Sequence, residues 1–415
     1  MIKEMLWGLM TAFLLCETTL LLLNHCSIQR NLNNNIFKDF IDDATFGNAT
    51  AYSLARNHFA LLCLFYKVII WALILRFDLI PMFIAFVGNS DSLWVQSTWL
   101  FFWNFFLSLF FLPLSYLSTF KIEKDFGFNR STRGLWIVDQ IKGFCVGACL
   151  NIPLFTLLLY LLKKFSNTWW IWGALGCCLL QVILIWLYPK LILPLFNKLT
   201  PLEEGTLKTR LEALAQKVGF KSAAIQVLDS SKRSTHSNAY CSSIGKIQHI
   251  VLFDTLLKNF TDEEIEAILA HEIGHYKRKH IQKILTIFSI STLLGLKFCD
   301  VLLQTDWLAE QFGLTTTTPL LLLILLSTFL SLFLYWFKPI TNYFSRKYEY
   351  EADAFANALT PDCGENLIHA LKKLYRENLS NLFPNPLYSR FHYSHPTLTE
   401  RESAIHGKNS VSKNH

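Results

Sequence analysis

The sequence predicts a polytopic, mostly α-helical membrane protein carrying a split α+β domain that faces water. Three observations predict it. Of 415 residues, 52% are hydrophobic and only 17% are charged, whereas soluble domains run at about a quarter charged. Seven apolar runs are long enough to cross a bilayer. Two far more polar stretches, residues 196–283 and 338–415, flank the last two of those runs.

The runs cover residues 5–23, 59–87, 93–120, 144–162, 169–195, 284–303 and 319–337. The first continues into Asn24-His25-Cys26 without a small-residue cleavage site, so it reads as a span and not as a cleavable signal peptide. The second is the least clean, because Lys67, Arg76 and Asp78 interrupt it. Together with Glu17 and Asn104, these polar groups are expected to face a bundle interior or a cavity. The 35 phenylalanines and 12 tryptophans suit lipid-facing and interfacial positions. The chain then divides into 1–195 (spans one to five), 196–283 (first part of the polar domain), 284–337 (spans six and seven) and 338–415 (second part).

Charge sets the expected orientation. With seven spans, Arg30, Lys38, Arg56, Lys121, Lys124, Arg130, Arg133 and Lys142 share one side with the polar domain. The other side holds little beyond Lys3, Lys163 and Lys164. The positive-inside rule places the polar domain in the cytoplasm and the N-terminus outside. This alternation needs an odd number of spans. The net charge of +7 therefore reads as orientation; no basic-aromatic surface suggests nucleic acid. The ten cysteines show neither C-x-x-C spacing nor disulfide-scaffold density, which argues against thiolate metal ligation.

Within the polar domain, residues 207–218 have helical periodicity and stop at Gly219. Residues 224–228 and 248–253 read as strands, and 248–253 is a candidate edge on which an extended peptide could add as a further strand. Thr261 with Glu264 forms a capping box. The helix it starts has an apolar stripe of Ile265, Ile268 and Leu269, and carries His271-Glu272-Ile273-Gly274-His275 in its middle.

That pentapeptide is H-E-x-x-H. Four residues apart on a helix, His271 and His275 project from one face and can share a metal ion. Glu272 lies about 100° round the same turn and can reach a water there without ligating. A catalytic zinc needs a third protein ligand and keeps its fourth position open. Glu349-Tyr350-Glu351-Ala352-Asp353 can supply it: Glu349 as ligand, with Asp353 on the same helical face accepting the second N–H of a ligating histidine. Spacing alone leaves Glu351 open as the rival ligand. The competing reading of the pair, two histidines on a solvated helix without metal, leaves the acidic partner unexplained.

These residues, with others, resemble the integral-membrane CAAX prenyl proteases, a family of seven-span zinc metallopeptidases with bacterial relatives. The resemblance includes Ile122-Glu123-Lys124-Asp125-Phe126-Gly127-Phe128-Asn129, Pro194-Leu195-Phe196-Asn197-Lys198, Ser231-Lys232-Arg233-Ser234 and His236-Ser237-Asn238-Ala239-Tyr240. It continues through residues 250–256 and 345–353 to His392-Tyr393-Ser394-His395-Pro396, in family order. It implies spans forming a barrel around a water-filled chamber, with one zinc ion per chain at its cytoplasmic end. It implies His271, His275 and Glu349 as ligands, favouring Glu349 over Glu351. Glu272 matches the catalytic glutamate that moves a proton from water to the leaving amine. Asn238 and Ala239 match a segment that holds the substrate backbone, and His395 and Arg401 match groups that stabilise a developing oxyanion.

The expected activity is zinc-dependent endopeptidase cleavage of a peptide or protein, in the family a prenylated C-terminal CAAX sequence. The expected membrane is the endoplasmic reticulum in a eukaryote, or the inner membrane in a bacterium, where quality control without prenyl specificity is the alternative. A monomer is expected. A catalytically silent receptor or transporter with structural metal is a rival that Glu272 argues against, and the apolar spans exclude a soluble thermolysin-like enzyme.

Overall fold

The computed structural model describes residues 2–88, 90–219, 224–244, 247–359 and 362–407. Among these, six helices are each long and apolar enough to cross a membrane, and a bent pair makes a seventh. The spans are Ile2–Arg30, Asp43–Arg76, Leu93–Leu117, Arg133–Lys164, Trp169–Leu187 and His280–Leu303. The seventh, Pro319–Tyr335, turns by 61° into Lys338–Asn357.

Several helices run well past the apolar segments that mark them. Asp43–Arg76 has 34 residues, about 50 Å at 1.5 Å per residue, against a hydrocarbon core of about 30 Å. Its start is fixed by Asp42, whose carboxylate accepts from the Thr45 amide at 2.9 Å. Its end differs from expectation. The run at 59–87 is two helices, because Asp78 adopts a left-handed φ of 51° and separates Arg76 from the short helix Leu79–Val87. Arg76 and Asp78 thus lie at a break outside the bundle interior, and Asp78 pairs with Lys3. Asn104 bonds the Leu100 carbonyl of its own helix at 2.8 Å.

Polar groups between spans do meet. Trp71 and Trp103 donate to the Thr328 carbonyl and hydroxyl at 3.1 and 3.0 Å, tying spans two, three and seven. Trp169 donates to buried Asp300 at 2.8 Å and joins spans five and six. Glu17 accepts from Tyr335 at 2.8 Å. Lys67 lines a cavity of about 480 Å³ between Phe59, Cys63, Phe111 and Leu114.

The polar residues build a four-stranded sheet of β1 (Leu199–Pro201), β2 (Ala224–Leu228), β3 (Ala239–Ile244) and β4 (Ile247–Phe253), ordered β1-β2-β4-β3. β2 and β4 run parallel; the other two pairings are antiparallel. This corrects the reading of residues 248–253 as an edge. β4 is flanked by β2 on one side and β3 on the other, so its backbone cannot accept another strand, and the edges are β1 and β3. The reason is visible in retrospect: Ile250, Val251 and Leu252 are at most 1% exposed, and a strand buried on both faces is a continuous apolar run. The sequence Ala-Tyr-Cys-Ser-Ser-Ile of β3 lacks the alternation that marks a half-buried strand.

One core underlies this sheet. It draws Leu211, Ile225, Leu252, Leu256, Ile265, Leu269 and Ile273 from before the last two spans, and Ala356, Leu367, Ile368 and Leu398 from after them. Loop 31–42 packs on the same side, through Phe40 against that core and Asp39 paired with Lys372 at 2.8 Å. At the other end, Lys3 sits over Phe312 in the loop before the seventh span. The N-terminal end of the first span therefore lies at the end of the bundle away from the polar domain.

Candidate active site

The H-E-x-x-H helix is Asp262–Lys277, capped by Thr261 and Glu264 in the expected box. It packs against Lys338–Asn357, the helix that leaves the seventh span. Gly274 makes this crossing possible. A Cβ there would meet the Ala352 Cα at 3.0 Å and its carbonyl oxygen at 3.1 Å, so the motif's glycine lets the two backbones touch. Contact at Ala352 brings Glu349 and Asp353, one turn apart on the same face, against the histidines.

The result is a convergent donor set. His271 Nε2 and His275 Nε2 are 3.1 Å apart. Glu349 places Oε2 at 3.5 Å from the first and Oε1 at 3.3 Å from the second. Neighbouring donors around a tetrahedral ion with bonds near 2.05 Å are about 3.3 Å apart. The side chains therefore fit a metal with no rearrangement, and two neutral nitrogens plus one carboxylate is a donor set that suits zinc. Glu351 is elsewhere: its carboxylate lies 3.1 Å from His280 Nε2, which resolves the ambiguity left by spacing.

The charges around this set are deeply buried. His271 Nδ1 donates to Asp353 Oδ1 at 2.8 Å, and Arg401 Nε donates to Asp353 Oδ2 at 2.8 Å. Burial alone would lower the His271 pKa, but hydrogen bonds to Asp353 and Glu349 overcome it and lift the group to about 9 in the metal-free protein. Burial pushes Glu349 up, yet the hydrogen bonds from His271 and His275 hold its carboxyl far below the usual range. His271, Glu349, Asp353 and Arg401 are each at most 7% exposed.

Residues 23–198 match the family model for the CAAX prenyl protease N-terminal region with five membrane helices, and residues 201–409 match peptidase family M48. The chain belongs to peptidase family M48. Over 91% of its length it is 33% identical to CAAX prenyl protease 1 of Saccharomyces cerevisiae, covering 89% of that protein. It is 31% identical to the CAAX prenyl protease 1 homolog of Homo sapiens, over 88% of this chain and 86% of that one. The crystal structure of S. mikatae Ste24p superposes with a TM-score of 0.90 at 33% identity, covering 97% of this chain and 98% of that one. This M48 peptidase is thus a multi-pass membrane metallopeptidase, and a helical barrel around a chamber is consistent with the Ste24p likeness.

The remaining candidate residues of the M48 site fall at different distances from the metal group. Glu272 is half-buried beside His271 on the same helix. His395 is 64% exposed at its side chain and brings Nε2 to 3.4 Å from Glu349 Oε1. Arg401 brings Nη1 to 3.6 Å from Glu349 Oε2 and Nη2 to 3.3 Å from His271 Nδ1, the ring nitrogen turned away from the donor set, while Nε and Nη2 bond Asp353. It sits behind the site as a clamp. Asn238 is exposed at the entry to β3; its side chain accepts from the Ala239 amide at 2.8 Å, and its carbonyl accepts from Phe253 at 3.2 Å.

A second group of residues, not foreseen as functional, holds that entry. His236 places Nε2 at 3.1 Å from Glu123 and Nδ1 at 3.1 Å from Asn378 Oδ1, and stacks on Phe128 at 4.0 Å. Tyr52 donates to the other Glu123 oxygen at 2.7 Å. Asn378 also accepts from the Ser237 amide at 3.1 Å and donates to its carbonyl at 3.3 Å. The loop after the third span thereby grips the start of β3. Glu123 and His236 both stand in the sequence blocks that carry the resemblance, but their pairing across 113 residues had no sequence signal.

Proposed function

We propose that the protein is a zinc-dependent endopeptidase that cleaves the C-terminal CAAX sequence of prenylated proteins at the cytoplasmic face of the endoplasmic reticulum membrane. One observation carries the reading: the two Nε2 atoms and the Glu349 carboxylate converge at spacings of 3.1–3.5 Å on a helix pair that also presents Glu272. The names of the yeast and human relatives supply the substrate class. The basic loops around the polar domain supply the sidedness.

In this reading His271, His275 and Glu349 hold the ion. When bound, zinc supplies Lewis acidity at its open position, lowering the pKa of a water and polarising the scissile carbonyl. Glu272 takes a proton from the attacking water as its oxygen adds to the carbonyl carbon. The same carboxyl then gives that proton to the departing amine nitrogen as the C–N bond breaks. His395 donates to the oxyanion that develops in between. The free edge of β3, entered at Asn238 and Ala239, pairs with the extended peptide, so recognition relies on backbone hydrogen bonds and tolerates varied side chains.

The experiment is cleavage of a farnesylated CAAX peptide beside its unprenylated twin. Selective turnover of the prenylated peptide is expected, and it disappears in Glu272→Gln. Equal turnover of the two peptides would overturn the substrate assignment while leaving the peptidase intact.

A further inference from the structure

The two candidate metal-ligating histidines are supported by different machinery. Behind His271 stands the charged pair Asp353–Arg401. Behind His275 stands another imidazole: His275 Nδ1 and His280 Nδ1 are 3.0 Å apart. His280 Nε2 in turn lies 3.1 Å from Glu351 Oε2. His280 is only 1% exposed and stacks on Tyr348 at 4.4 Å with 16° between the rings. Glu351 is further anchored by Lys283 at 3.4 Å.

Only one arrangement of protons satisfies this series with neutral imidazoles. For His275 Nε2 to offer a lone pair to metal, its proton must be on Nδ1. That N–H can donate to His280 Nδ1 only if the latter is bare, which puts the His280 proton on Nε2. There the Glu351 carboxylate accepts it. Each hydrogen bond thus dictates the next, and the negative end of the series is Glu351. We infer that His280 and Glu351 are positioning residues that fix the tautomer and ring angle of His275 for metal binding. The inference rests on His275 being a ligand.

The placement gives this series a structural consequence. His280 is the first residue of the sixth span, just after Lys279 turns the chain at φ 57°. Glu351 lies on the helix that also carries Glu349. The top of a membrane helix therefore reaches back to orient a metal ligand, coupling the seating of the sixth span to the geometry of the site.

The test is zinc affinity of the purified full-length protein by chelator competition, with thermal unfolding as a check on folding. His280→Phe keeps the stacked, buried ring but removes the acceptor, and should weaken zinc binding by about 10–100-fold, the range for loss of a ligand's hydrogen-bond partner. His280→Asn restores an acceptor near the Nδ1 position and should recover most of that loss. Glu351→Ala should weaken binding, whereas Glu351→Gln, which still accepts from Nε2, should stay within a few-fold of wild type. The double variant His280→Phe/Glu351→Ala should be no weaker than His280→Phe, because the two act in series. Wild-type affinity in a folded His280→Phe would overturn the inference. If that variant fails to fold, equal losses in Glu351→Ala and Glu351→Gln would overturn it by showing only an ionic role. His275→Ala separates the underlying assumption: zinc retained at full affinity there would refute the ligand itself.

Discussion

Arg401 grips Asp353 with two of its nitrogens, Nε at 2.8 Å from Oδ2 and Nη2 on Oδ1, and Asp353 passes that constraint to His271 through a 2.8 Å hydrogen bond. All three groups are buried. Replacing Arg401 by Gln would remove the buried guanidinium that pairs with Asp353 and faces Glu349, leaving the two buried carboxylates short of one positive charge. The expected cost is about 3–5 kcal/mol of stability, read as a fall in the unfolding midpoint, with loss of zinc affinity alongside it.

Glu272→Gln separates binding from chemistry. The amide can neither accept the proton of water nor return it, so turnover should fall by at least ~10²–10⁴-fold. Zinc content, measured by metal analysis, should remain at one ion per chain, because Glu272 stands outside the ligand set.

Zinc uptake should compete with protons. In the metal-free protein His271 keeps its proton up to about pH 9, since its carboxylate partners outweigh the effect of burial. Zinc must displace that proton, so apparent affinity should drop about tenfold per unit as pH falls below 9, and level off above it. Competition titrations across pH 6–10 would show this; a flat profile would contradict it.

Gly274→Ala tests the helix crossing. The added methyl group would meet the Ala352 backbone at 3.0–3.1 Å, a contact that backbone cannot relieve by changing rotamer. Overpacking of this kind costs about 1–3 kcal/mol. Because the shift separates Glu349 from the two histidines, zinc affinity should fall more than stability alone explains.

His236→Ala and Glu123→Gln should act on substrate more than on metal. They loosen the entry to β3 at Asn238 while leaving the helix pair untouched. The expected signature is a raised KM for the peptide with zinc affinity unchanged, measured by steady-state kinetics and chelator competition on the same preparations.

What the sequence determined by itself was governed by local periodicity and by short motifs. Each of the seven apolar runs holds a spanning helix, the run at 59–87 with a second short helix after it, because a bilayer demands a length and a polarity that few other structures need. The capping box and the four-residue histidine spacing were legible for a similar reason: the interacting groups lie within one turn. Arg76 and Asp78 showed as an interruption of the second run, but the left-handed turn at Asp78 that splits it into two helices has no signature in hydropathy.

Tertiary structure decided everything that depends on which segment lies beside which. It made β4 central and β3 an edge, chose Glu349 over Glu351 for the donor set, and set Arg401 behind Asp353. It also paired His236 with Glu123, and His275 with His280. These outcomes follow from packing between elements tens to hundreds of residues apart. A buried charge shows in a sequence only as a residue type, while its partner, distance and direction arise when two helices meet at a glycine such as Gly274.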